Sequence, residues 1–270
     1  MSIAFLGGGN MANALIGGLV AKGTDARSIC VVEVSPAARE KLGAKYPVHI
    51  STAPDAAVQR ADTWVLAVKP QDMRTALASL GASAQGKLVI SIAAGIRFSA
   101  LSRWLAGHRR IVRCMPNTPA LVSAGITGLY APAEVSAEDR KTAESILGAV
   151  GEVVWVAHEK LIDPVTAVSA SGPAYVFWQI EQLAAYAEST GIPREDSLKL
   201  AKHCVLGSAK LALESTEPPA QLRRNVTSKG GTTEAALKVF GEEQLAERFA
   251  RALAAATRRG GELGDELAKD

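Results

Sequence analysis

Short runs of β-branched and other apolar residues recur through the first 162 residues of the chain, and amphipathic stretches separate them. Nearly every position within a run is apolar, which is typical of strands buried on both faces of a parallel sheet. The strands predicted from these runs are Ile3–Leu6, Ile29–Val34, Val48–Ile50, Thr63–Val68, Leu88–Ala93 and Ile111–Cys114, followed by Gly125–Tyr130 and Val153–Val156. The alternation of strands with helices predicts a doubly wound α/β domain over residues 1–162.

The pattern changes to helical periodicity after residue 162, and no convincing strand follows. Apolar residues there recur at the three- and four-residue spacing of one helix face. The long helices predicted are Ala174–Thr190, Pro193 to about Ser215, and Glu242–Ala268. The sequence therefore predicts an all-α second domain over residues 163–270, and its alanine-rich faces suit packing against a second copy of the chain.

Composition and charge narrow the class of protein. Hydrophobic residues make up 48% of the chain and charged residues 21%, which excludes a disordered protein. The first 162 residues carry 17 basic and 12 acidic side chains, a net +5 that suits an anionic small ligand. No dense stripe of Lys and Arg indicates nucleic-acid binding. The three cysteines lie far apart and no Cys/His spacing resembles a metal site, so we expect free thiols and no bound metal.

The uncharged segment Ser2–Ala21 resembles a signal peptide or membrane span at first sight. However, five glycines interrupt it, it contains Asn10 and Asn13, and it has no basic leading region. We therefore expect a cytoplasmic protein that does not enter a membrane.

The clearest chemical motif directly follows the first predicted strand, where Gly7, Gly9 and Ala12 form the pattern G-x-G-x-x-A. Gly7 permits a tight turn, Gly9 lets a pyrophosphate approach the backbone, and Ala12 allows close packing of helix on strand. The following helix start offers free N–H groups and a positive dipole to the phosphates. This context predicts a dinucleotide-binding turn.

Glu33 and Ser35 give opposite indications about which dinucleotide binds. A carboxylate at the end of the second strand normally binds the adenosine ribose and disfavours a 2′-phosphate, whereas a helix-capping serine offers its hydroxyl and N–H groups to that phosphate. Two further interpretations remain open: Glu33 faces solvent, or Ser35 only caps its helix.

Further candidate loops follow other strands. The segments Ala67–Pro70, Ala93–Gly95 and Met115–Pro119 all come after predicted parallel strands, where open α/β sheets bind ligands. In the helical part, Asn225–Thr233 precedes a predicted helix over Glu234–Phe240. Its glycines and hydroxyls can form a small anion site, but simple helix capping explains them equally well.

Together these motifs resemble those of the pyrroline-5-carboxylate reductases over essentially the whole chain. The resemblance rests on the segments Phe5–Met11, Ala67–Pro70, Ser91–Gly95, Met115–Pro119, Ser169–Tyr175 and Asn225–Thr233. The last two are the most specific. The chain departs from the family at Ala170, where Gly is usual, and at Lys229, where Pro is common.

The resemblance implies an N-terminal Rossmann domain and a C-terminal helical domain that interlocks with its partner in a homodimer, which some members assemble into decamers. It implies reduction of 1-pyrroline-5-carboxylate, a cyclic imine carboxylate, to L-proline by NADPH, with NADH also plausible. The implied cofactor contacts are Leu6, Gly7, Gly8, Gly9, Asn10, Met11, Ser35, Ala67, Val68, Lys69, Pro70, Ile92, Ala93, Ala94, Glu159 and Asn225. The implied substrate contacts are Ser228, Gly231, Thr232 and Thr233, with Thr233 hydrogen-bonded to the reacting nitrogen.

Two other functions are compatible with the same layout. The first is enzymatic, a β-hydroxyacid dehydrogenase or another imine reductase. A β-hydroxyacid dehydrogenase would need a lysine on the first long interdomain helix, but Ala174–Thr190 contains none. A non-catalytic dinucleotide sensor would keep the glycine-rich turn without turnover, and only an assay distinguishes it.

Overall fold

The computed structural model describes residues 1–78 and 80–269. They form two compact units: Met1–Ser171 together with the chain from Ala255 onward, and Gly172–Ala254. The predicted domain boundary after residue 162 stays a prediction.

The first unit is built on one eight-stranded sheet. Its strands are β1 Ile3–Leu6, β2 Ile29–Val32, β3 His49–Ser51, β4 Thr63–Leu66, β5 Leu88–Ser91, β6 Ile111–Met115, β7 Gly125–Tyr130 and β8 Gly151–Trp155. Their order is β3-β2-β1-β4-β5-β6-β7-β8, and every pair is parallel except β6 with β7. The predicted α/β sheet is confirmed.

Three strands end two residues earlier than predicted. β2, β4 and β5 stop at Val32, Leu66 and Ser91, although apolar residues continue the pattern in the last two cases. The residues that leave the ladder form the loops at the carboxyl edge of the sheet, so the apolar pattern alone placed these ends wrongly.

Helices cover both faces of the sheet, which explains the continuous apolar runs. Along β1, Ile3 and Phe5 belong to one buried cluster, whereas Ala4 and Leu6 belong to the cluster on the other face. All four are at most 3% exposed. Full burial of one large apolar side chain contributes about 1.5–3 kcal/mol, so both faces contribute to stability. The helices of this unit are α1 Asn10–Ala21, α2 Pro36–Gly43, α3 Ala56–Arg60, α4 Met73–Leu77, α5 Phe98–Trp104, α6 Ala137–Leu147 and α7 Ile162–Val165.

The second unit consists of helices joined by short loops and contains no strand among its described residues, as predicted. Its helices are α8 Gly172–Ser189, α9 Arg194–Glu214, α10 Pro219–Asn225, α11 Thr232–Glu242 and the first part of α12, Leu245–Ala268. Large apolar side chains, including Phe177, Trp178 and Leu213, are more than half exposed in the single chain. None of the described helices is long and apolar enough to cross a membrane.

The later turns of α12 belong to the first unit and contain three glycines. Arg97 Nη1 pairs with Asp163 Oδ2 at 2.9 Å, and Arg97 Nη2 donates to Gly261 O at 3.2 Å. A Cβ on Gly264 would lie 2.6 Å from Arg97 Nε. Glycine within a helix costs about 1 kcal/mol relative to alanine, but here it lets the guanidinium approach the helix backbone.

Candidate active site

The turn after β1 is pressed against the backbone of a neighbouring strand. Gly7 has a φ of +106°, and a Cβ there would lie 2.7 Å from the carbonyl carbon of Ala67. Gly7 N also donates to Val32 O at 2.8 Å. Only glycine fits both the positive φ and this close approach. The turn is therefore fixed by the ends of β2 and β4.

The start of α1 is open at the position where a phosphate would approach. Gly9 is the N-cap in extended conformation, no side chain caps the helix, and a Cβ on Gly9 would contact nothing within 4 Å. The first-turn N–H groups therefore have no side-chain acceptor, and the helix dipole adds positive potential. Buried Asn13 Oδ1 also has no partner, while Asn13 Nδ2 donates to Gly8 O at 3.2 Å. This arrangement fits the pyrophosphate of a dinucleotide.

Glu33 is held by two backbone donors from different loops. Its Oε2 accepts from Gly8 N at 2.8 Å, and its Oε1 accepts from Ser35 N at 2.7 Å. The interpretation of a solvent-facing Glu33 is therefore wrong. Ser35 Oγ accepts from Ala38 N at 3.4 Å, a long capping contact, so the serine caps α2 and its predicted phosphate contact stays a prediction.

The loops predicted at the sheet edge come together. Leu6 is level with Leu66, and Leu66 is level with Ser91, so the chain leaves β1, β4 and β5 at the same edge. Backbone bonds continue beyond the strands, from Ala67 N to Leu6 O at 2.8 Å and from Ile92 N to Leu66 O at 3.1 Å. The predicted cofactor segments in these loops are Leu6–Met11, Ala67–Pro70 and residues 92–94. Each remains a predicted contact.

Glu159 neutralises a buried charge next to this edge. Its Oε1 accepts from Arg113 Nη1 at 2.9 Å and from Phe98 N at 2.6 Å. Arg113 is only 2% exposed, and burial lowers the pKa of its guanidinium against the opposing effect of Glu159. Removing one partner of such a pair is strongly destabilising. The predicted cofactor contact of Glu159 stays a prediction beside this structural role.

Sequence reasoning missed Arg113, which was included in an apolar strand. The available signal was a charged residue within the run Ile-Val-Arg-Cys-Met, since a buried charge needs a partner elsewhere in the chain.

Within the second unit, the Asn225 side chain hydrogen-bonds to side chains close to it in sequence. Its Nδ2 donates to Glu217 Oε2 at 2.8 Å, and its Oδ1 accepts from Gln221 Nε2 at 2.7 Å. The amide is exposed and both of its ends are engaged. Its predicted contact with the cofactor stays a prediction.

The loop before α11 presents uncapped backbone donors. Gly231 is the N-cap without a side-chain acceptor, and Gly230, with φ +72°, donates to Glu234 Oε2 at 2.7 Å. A Cβ on Gly231 would collide with Ser228 Oγ. Because no hydroxyl caps this helix, the capping interpretation of the loop is wrong.

The hydroxyls of this loop are available to a ligand. Among the described residues, the side chains of Ser228, Thr232 and Thr233 make no hydrogen bond. Thr233 is half-buried, whereas the other two are exposed. Free hydroxyls beside unsatisfied N–H groups and a positive helix dipole can hold a carboxylate. In the described part of the chain, no group of three or more His, Cys, Asp or Glu residues could hold a metal ion.

Comparisons with known proteins identify the family. Residues 159–263 match the model for pyrroline-5-carboxylate reductase dimerisation, and residues 2–95 match that for NADP oxidoreductase, coenzyme F420-dependent. The chain is 44% identical to the pyrroline-5-carboxylate reductase of Pseudomonas aeruginosa over 98% of this chain and 97% of that protein. The chain belongs to the pyrroline-5-carboxylate reductase family. The predicted family and enzyme class are confirmed: the protein is an oxidoreductase.

Solved structures of this family agree with the fold. A pyrroline-5-carboxylate reductase from Coxiella burnetii matches with a TM-score of 0.92 at 43% identity, covering 97% of this chain and 98% of that one. The pyrroline carboxylate reductase of Plasmodium falciparum, solved with NADP bound, matches with a TM-score of 0.85 at 27% identity, covering 98% of both chains. The predicted Rossmann fold with a helical dimerisation region is confirmed, and the protein is a homo-oligomer.

Proposed function

We propose that this protein reduces 1-pyrroline-5-carboxylate to L-proline, with NADPH as the preferred hydride donor and NADH as a second one. The observation that carries the proposal is the 44% identity to such a reductase over 98% of the chain. The uncapped helix starts at Gly9 and Gly231 support the proposal, because each offers free backbone N–H groups to an anion.

The cofactor is assigned to the sheet edge of the first unit. The segment Leu6–Met11 would bind the pyrophosphate, because Gly9 leaves space and α1 offers free N–H groups. Ser35 would contact the adenosine end, and the loops after β4 and β5 would bind along the rest of the molecule. When bound, the reduced nicotinamide supplies the hydride.

The substrate is assigned to the start of α11. Its carboxylate would accept hydrogen bonds from the first-turn N–H groups and from Ser228 and Thr232, with the helix dipole adding attraction. The Thr233 hydroxyl would hydrogen-bond the ring nitrogen. Protonation of that nitrogen makes the adjacent carbon electrophilic. Because a cyclic imine can take this proton from water before or on binding, no strong acid is required in the loop. The protein then contributes mainly positioning and electrostatic stabilisation.

Assembly and location complete the proposal. The exposed aromatic residues of the second unit, such as Phe177 and Trp178, support an interlocked dimer that buries them, and the family pattern supports further assembly into a decamer. The three cysteines carry free thiols, which supports a reducing, cytoplasmic location.

An absorbance assay of reduced nicotinamide tests the proposal. We expect pyrroline-5-carboxylate to oxidise NADPH and, less efficiently, NADH, with proline formed in equal amount. Omission of the imine provides the control. Tight binding of either cofactor without turnover would contradict the proposal and favour a dinucleotide sensor.

A further inference from the structure

Arg39 is a cation beside the candidate cofactor site that the sequence motifs did not include. It lies in α2, one helical turn after the capping residue Ser35. Its Nη1 donates to Glu33 O at 3.0 Å and to Val34 O at 2.8 Å. These two bonds fold the side chain back onto the loop between β2 and α2. The side chain is therefore held at this loop and does not extend into solvent.

The charge of Arg39 is not neutralised within the described residues. No carboxylate oxygen there forms an ion pair with it, although Glu33 is only six residues away. The Glu33 carboxylate is instead directed to Gly8 N and Ser35 N. The guanidinium therefore has no paired carboxylate and keeps further N–H donors for a ligand at this loop.

We infer that Arg39, together with the Ser35 hydroxyl, binds the 2′-phosphate of NADPH and is the residue that makes the protein favour NADPH over NADH. In dinucleotide-binding folds the adenosine ribose lies at the end of the second strand, where this loop begins. The guanidinium fork matches phosphate oxygens better than an ammonium does. The inference rests on the proposed function and names which of its two cofactors the site selects.

The geometry of Glu33 explains how a carboxylate and a 2′-phosphate can share this loop. Two backbone N–H groups hold the carboxylate and offset part of its negative charge. Arg39 supplies the compensating cation on the same loop. The carboxylate that the sequence pattern assigns to the ribose thus links the turn after β1 to the start of α2.

Calorimetric titration of the full-length protein with NADPH and with NADH tests the inference without measuring turnover. We expect Arg39→Gln to weaken NADPH binding by about 10- to 100-fold, the loss of charged hydrogen bonds, and to change NADH binding by less than about 2-fold. Arg39→Lys keeps a charge but loses the fork, so NADPH binding should fall less. The matched control Lys41→Gln removes one charge from an exposed position of the same helix and should change neither.

Each outcome decides the inference. An unchanged NADPH affinity in Arg39→Gln, or an equal loss for both cofactors, overturns it, because Arg39 would then be irrelevant or would only hold the loop. If Arg39→Gln does not fold, the same comparison in Arg39→Lys decides. Failure of the unmodified protein to bind either cofactor would instead break the proposed function itself.

Discussion

The helix starts at Gly9 and Gly231 both present backbone N–H groups without a side-chain cap. The residues that hold them in place lie far away in sequence for Gly9 and close by for Gly231. The first is fixed by the backbone of Ala67 and by Glu33, which bonds to Gly8. The second is fixed by Ser228 and Glu234, which are neighbours in sequence. The turn after β1 is therefore held by neighbouring strands of the sheet, whereas the loop before α11 depends on local contacts.

The difference indicates how each site responds to change. A substitution that distorts the turn after β1 should also disturb β2 and β4, because the ends of these strands contact the turn directly. A defect in the loop before α11 stays local, since its side chains are mostly exposed. Stability and binding should thus be coupled at Gly7, which contacts the sheet backbone, and separable at exposed Gly9 and in the loop before α11.

The largest effect is expected for Gly7→Ala. The new Cβ would meet the Ala67 backbone at 2.7 Å in a residue with φ +106°, so we expect the free energy of unfolding to fall by about 2–4 kcal/mol. Cofactor binding should be lost as well. Thermal and urea unfolding measure the first effect. Gly23→Ala is the matched control, with a positive φ of 93° but no neighbour within 4 Å. Equal losses in the two variants would contradict the role of the close approach.

Gly9→Val should separate binding from folding within the same turn. Nothing lies within 4 Å of the new Cβ, so the free energy of unfolding should fall by only about 1 kcal/mol, because valine is a poorer N-cap than glycine. The added methyls occupy the space proposed for the pyrophosphate, and affinity for NADPH should fall by about 100-fold or more. Calorimetric titration with NADPH and with NADH measures the affinity for each cofactor. Retained affinity would remove the dinucleotide assignment from this turn.

At the second site, Ser228→Ala and Thr233→Val should act differently on the kinetics. Ser228→Ala would delete one proposed donor to the substrate carboxylate, so KM for the imine should rise by about 10- to 150-fold. Thr233→Val keeps the side-chain shape, and kcat should fall with kcat/KM if its hydrogen bond strengthens in the transition state. Steady-state kinetics with both substrates varied distinguish these effects. Unchanged kcat and KM in Thr233→Val would exclude the hydroxyl from the reaction.

The smallest effect concerns the carboxylates that support each helix start. Glu33→Gln places an amide N–H₂ against Gly8 N or Ser35 N, so one of these donors loses its acceptor. We expect the free energy of unfolding to fall by about 1–3 kcal/mol. Glu234→Gln at the exposed second loop should leave stability unchanged. Denaturant titration of the two variants in parallel measures the difference. Equal destabilisation of the two variants would contradict the idea that the helix start held by residues distant in sequence is the one whose loss affects the stability of the fold.

Much of the first unit could be predicted because burial on both faces of a strand leaves a nearly continuous apolar run. Ile3 to Leu6 reads as a strand covered on both faces, and the loops after β1, β4 and β5 follow from parallel topology. The strand ends could not be predicted, because Ala67 and Val68 continue the apolar pattern after leaving the ladder. At this point the backbone of Ala67 lies directly against Gly7, which is sixty residues earlier in the chain and gives no signal in the local pattern.

The side chains that carry charge at the site were harder to predict. Glu33 was recognised, but its partners were not, since Gly8 N becomes an available donor only after the turn forms. Arg39 resembles any exposed helical arginine until the fold brings it onto the carbonyls of Glu33 and Val34. The loop before α11 was located correctly, although α11 begins at Thr232, two residues earlier than expected. Local hydroxyls and glycines were visible there, whereas the absence of a cap was not.

The contact of Arg97 with the later turns of α12 has a consequence for the order in which the chain folds during synthesis. Those turns belong to the same compact unit as β1, yet the ribosome makes them after the whole helical unit Gly172–Ala254. Until they emerge, Arg97 lacks its acceptor at Gly261 and the surface around Gly95 lacks Leu267. The first unit therefore cannot complete its packing until the second unit has been synthesised. The usual order, in which an N-terminal domain folds before the next one is made, does not apply to it.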